Sequence, residues 1–196
     1  MSTRSRLLAI GTAATIAFVG GVRTARADPD PTLTVRVRNE AHLPDRTIQE
    51  ALMIAGGVYR RAGVSLRWLA TEDVDASDSP LVIVIVPAAE KVAFHVAEDS
   101  MGVARGPDGT RGTVAHVFYD RVREFGERGR VDAWVVLGCA IAHELGHLLL
   151  PVNSHANVGI MRADWDPKLI ARAGGFLSFS PEQGRLLRLR VASREP

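Results

Sequence analysis

The stretch HELGHLLLPVNSH, residues 143–155, constrains this chain more than any other part of it. It closes a long helical pattern, 131–149, in which Trp134, Val135, Val136, Ile141, Leu145, Leu148 and Leu149 are apolar. A helix this apolar packs inside a domain, so two histidines and a glutamate within it need a reason to be there. His143 and His147 are four residues apart and project from one helix face, one turn above the other. Two imidazoles at that spacing suit a zinc ion. Glu144 is the next residue round the helix, where it can stand beside a metal without binding it and accept a proton from water.

A catalytic zinc takes a third protein ligand and keeps one position open. Pro151 disfavours helical geometry at Leu150, so the helix is expected to end near Leu149. Asn153 suits a left-handed turn, and His155 can then fold back toward the helix histidines. Asp164, Asp166 and Glu182 are rival third ligands. Cys139, one turn before His143, would be a fourth ligand that closes the site, or else a buried inert thiol. His42, His95 and His116 read as surface or sheet-edge residues.

The rest of the chain alternates strand and helix patterns. Leu33, Val35 and Val37 alternate with polar residues, a strand with one wet face. Ile48, Leu52, Ala55 and Tyr59 mark a helix over 47–62 that Gly63 stops. Residues 64–69 (VSLRWL) form a second strand, and 81–86 (LVIVIV) a strand buried on both faces. A short edge strand over 101–105 and a strand over 113–119 follow. Residues 124–130 are polar and contain glycine, and the segment after His155 reads as irregular. Ser180, Pro181 and Gln183 form a capping box that opens a terminal helix running to about residue 193. The expected fold is an α/β layer. It has a mixed, mostly parallel twisted sheet with an antiparallel edge strand, a crossover helix, a zinc-binding helix under the sheet and a C-terminal helix.

Residues 1–27 read as a cleaved export signal: Arg4 and Arg6, an uncharged apolar run over 7–22, then Ala25-Arg26-Ala27. That leaves 28–196 as a single catalytic domain without stable membrane association, secreted or periplasmic. Of 24 basic residues, four (Arg4, Arg6, Arg23 and Arg26) lie in the leader, which carries none of the 22 acids. The mature net charge is then about −2, and no basic stripe points to nucleic acid. A single cysteine excludes an intramolecular disulfide.

His143-Glu144-x-x-His147, a turn, His155 and then Gly159-Ile160-Met161 resemble the metzincin group of zinc metallopeptidases. Leu150 stands where that pattern has a glycine, and the third histidine arrives two residues late, so Pro151 and Asn153 would build the turn. The resemblance implies Zn²⁺ on His143, His147 and His155, and Met161 as a structural residue packed below the metal. It also implies a metalloendopeptidase with Glu144 as general base and a peptide or protein substrate along the edge strand. Two other functions use the same residues: a zinc-stabilised binding domain without activity, and a zinc hydrolase of a non-peptide amide such as a cell-wall bond.

Overall fold

The structure, a computed structural model, describes residues 30–69, 80–88, 100–104, 112–173 and 176–194. The proposed leader, residues 70–79, His95 and residues 105–111 lie outside the described residues.

Among the described residues, five strands form one sheet in the order β2-β1-β3-β5-β4. They are β1 (Thr32–Asn39), β2 (Ser65–Leu69), β3 (Leu81–Val86), β4 (Gly102–Val103) and β5 (Val114–Phe118). β1 pairs in parallel with β2 and with β3, and β3 in parallel with β5. β4 runs antiparallel to β5, with Gly102 opposite Val117 and Val103 opposite His116. The expected mixed α/β sheet with an antiparallel edge strand is what forms.

The crossover from β1 to β2 is α1 (Asp45–Arg61), which ends with Ala62 as cap and Gly63 at φ 74°. Glycine takes that left-handed geometry without Cβ strain. Leu33, Val35 and Val37 point into the core, and the alternate residues of β1 are partly or fully exposed. β3 is covered on both faces, with Leu81, Ile83 and Ile85 in the main core and Val84 and Val86 in a second cluster with Phe118. α3 (Ala133–Leu149) packs chiefly against α1 and buries thirteen of its seventeen residues, which is why its sequence is apolar nearly all round.

Two helices were not expected. α2 (Tyr119–Gly129) occupies the polar, glycine-containing stretch, and α4 (Pro167–Ala173) lies in the segment expected to be irregular. α2 forms because Val122 and Phe125 share a buried face against α3 while its charged residues face solvent. α4 is a short turn of helix with only Ile170 buried, and Asp166 Oδ1 accepts the Lys168 amide at its start. α5 (Pro181–Ala192) opens with the expected capping box. Among the described residues, no helix is long and apolar enough to cross a membrane.

Candidate metal centre

α3 places His143 and His147 one turn apart, and the chain then reverses. Leu150 is extended at φ −82°, ψ 163°, because proline follows it, and it is 1% exposed, so it anchors the turn in the core. Asn153 takes the left-handed conformation at φ 63°. His155 returns to the helix, and His143, His147 and His155 each offer one ring nitrogen to a common point, all within 4.8 Å of one another. The three residues lie close enough to hold a metal ion.

The ring nitrogens lie close together. His147 Nε2 is 3.0 Å from His143 Nε2 and 3.1 Å from His155 Nε2. Tetrahedral nitrogens bonded to one metal at 2.0–2.1 Å stand about 3.3 Å apart. His143 Nδ1 lies 2.8 Å from the Ile160 carbonyl, so it carries the proton and donates, which leaves Nε2 with a bare lone pair. Ser154 Oγ lies 3.4 Å from His147 Nδ1. Burial pushes the His143 imidazole down to about 4, with the Ile160 carbonyl opposing and His155 adding to the fall. His143 is therefore neutral near pH 7, the form that binds a metal.

The surrounding side chains hold this arrangement. Trp165 stands edge-on to His143, ring centroids 5.4 Å apart at 90°, and edge-on to Phe125 of α2 at 6.5 Å. Met161 is fully buried beneath the helix turn that contains Gly146. The Met161 loop is closed by Ala156 N to Met161 O at 2.8 Å and by Ile160 N to Ser178 O at 2.9 Å. Gly159, at φ 77°, has no room for a Cβ against the Ser178 carbonyl.

Glu144 is buried, 6% exposed, and burial pushes its carboxyl up to about 8. Gly102 of β4 covers it: a Cβ on Gly102 would lie 2.7 Å from Glu144 Oε1 and Cγ. The edge strand therefore crosses directly over the carboxyl. His155 is exposed, so the histidine cluster opens to solvent on its side.

The rival ligands lie elsewhere. Glu182 pairs with Arg185 at 2.7 Å on the surface of α5, Asp166 caps α4, and Asp164 is exposed. Cys139 is buried in the main core, where burial raises its thiol to about 12, and it does not join the cluster. His42 is exposed at φ 52°, and His116 is half-buried on β5 beside the edge strand. Four contributors had no signal in the sequence: the Ile160 carbonyl, Trp165, Ser154 and Gly102. Each acts through its backbone or through a side-chain contact that no spacing pattern encodes. No protein-family model matches the chain, and no curated protein matches it.

Proposed function

We propose that the protein is an exported zinc-dependent metalloendopeptidase of the metzincin kind. One observation carries the reading. Three ring nitrogens converge beside a buried glutamate on the same helix, directly beneath the edge strand of the sheet. Three imidazoles suit zinc, and a three-ligand site leaves one position for water or substrate.

His143, His147 and His155 would hold the ion, which when bound supplies a Lewis acid and lowers the pKa of water. Glu144 takes a proton from the attacking water and hands it to the leaving amine. Its buried carboxyl favours the protonated form in the metal-free protein, and a neighbouring dication favours the carboxylate, the form a base needs. Among the described residues β4 ends the sheet, so an extended peptide can add to its outer edge above Glu144. Export rests on the leader-like sequence of residues 1–27.

Glu144→Gln tests the assignment. The variant is expected to keep its zinc and lose hydrolysis of an extended peptide library by about a hundredfold or more, the usual contribution of a general base. Retained hydrolysis in the variant would contradict the role given to Glu144.

A further inference from the structure

We propose that Gln183 is a positioning residue for the third metal ligand, and that the lead-in to α5 braces the metal loop as a strap. This rests on the three-histidine metal reading.

Gln183 is the third residue of α5 and does two jobs. Its backbone N donates to Ser180 Oγ at 3.2 Å, and its Oε1 accepts from Ser180 N at 3.0 Å, which completes the capping box. Its Nε2 then donates to the Ser154 carbonyl at 3.0 Å. The capping box needs only an acceptor, which a glutamate would supply equally well. Only glutamine also has the donor that a carbonyl requires. The Ser154 carbonyl belongs to the peptide plane that leads into His155, so the bond fixes the backbone from which the third ligand projects.

That ligand needs outside support. His155 is exposed and follows the irregular turn over 151–154. Ser154 is engaged at both ends, its carbonyl by Gln183 and its hydroxyl near His147 Nδ1. The strap reaches the first ligand as well: Ser178 O accepts from Ile160 N, and the Ile160 carbonyl accepts from His143 Nδ1. The strap itself is rigidly mounted. Gly184, Leu187 and Val191 of α5 are buried, and Arg188 Nη1 donates to the Ala62 carbonyl at 2.7 Å.

Two variants separate bracing from simple helix capping. Gln183→Ala removes the bond to Ser154; Ser180→Ala weakens the cap and leaves the Gln183 amide to reach Ser154. Zinc affinity is read by chelator competition, and ligand geometry by the visible spectrum of the Co²⁺-substituted protein. Gln183→Ala is expected to weaken zinc binding about tenfold or more, as loss of a group that orients a ligand does, and to change the Co²⁺ spectrum. Ser180→Ala should lower thermal stability but hold zinc within about twofold of wild type, well short of that loss. Wild-type affinity and spectrum in Gln183→Ala would overturn the proposal, and so would an equal loss of affinity in Ser180→Ala. A wild-type protein that binds no zinc would instead overturn the metal reading underneath.

Discussion

The sulphur of Met161 occupies the space that a side chain on Gly146 would need. A Cβ on Gly146 would lie 2.5 Å from Met161 Sδ and 3.2 Å from the Phe179 ring. The glycine within His143-Glu144-Leu145-Gly146-His147 is therefore a packing requirement, because the methionine presses against the helix between His143 and His147. A shift of Met161 is felt by the helix, and through Ile160 by His143.

Gly146→Ala tests this contact. On an exposed helix the substitution would stabilise by about 1 kcal/mol. Here it is expected to destabilise the metal-free protein by about 1–3 kcal/mol, the usual result of overpacking a core. Urea unfolding measures the change. A variant as stable as wild type would show that Met161 yields freely and does not brace the helix.

Gly102 bears on the proposed hydrolysis differently. An added Cβ would meet both Glu144 and the His116 carbonyl at 2.7 Å, and the carbonyl, part of the β5 backbone, cannot move aside cheaply. Gly102→Ala is expected to displace the edge strand or the carboxyl and cut peptide hydrolysis by about a hundredfold, with bound zinc unchanged. Unchanged turnover would remove the edge strand from the account of the site.

The buried Glu144 and the part-buried His143 both contribute to the pH response of the metal-free protein. Glu144 is raised from 4.5 to about 8, so its contribution to stability is lost as pH climbs toward 8. His143 is lowered from 6.5 to about 4, so its contribution is present above 6.5 and lost as pH falls toward 4. The two oppose each other between about 4.5 and 6.5, and Glu144 acts alone from 6.5 to 8. Over that upper window these groups predict a fall of about 2 kcal/mol, which Glu144→Gln should abolish. Urea midpoints of chelator-treated protein at the two ends decide it. A rise with pH in wild type would contradict the buried, protonated Glu144.

Much of this was legible in the sequence where chemistry and periodicity agree locally. The α3 helix, its stop before Pro151, the left-handed Asn153 and the α5 capping box each rest on a few adjacent residues. α2 was not legible because Arg123, Glu124, Glu127 and Arg128 outnumber its apolar positions, and its helix depends on packing Val122 and Phe125 against α3. α4 was hidden for a similar reason, with one buried residue in seven. Around the histidine cluster the three histidines could be named, but not what orients them. Trp165 against His143, Gln183 on Ser154 and Gly102 over Glu144 are meetings of distant segments, and no spacing rule encodes them.

The proposed function requires that His143, His147 and His155 hold one metal ion. Zinc content after dialysis, measured by elemental analysis on the purified protein and on its His155→Ala variant, tests it most directly. About one zinc per wild-type chain, mostly lost from the variant, is the predicted result for a three-ligand site. A variant that keeps its zinc would make His155 an ordinary loop residue, and the account of the site would fail at its centre.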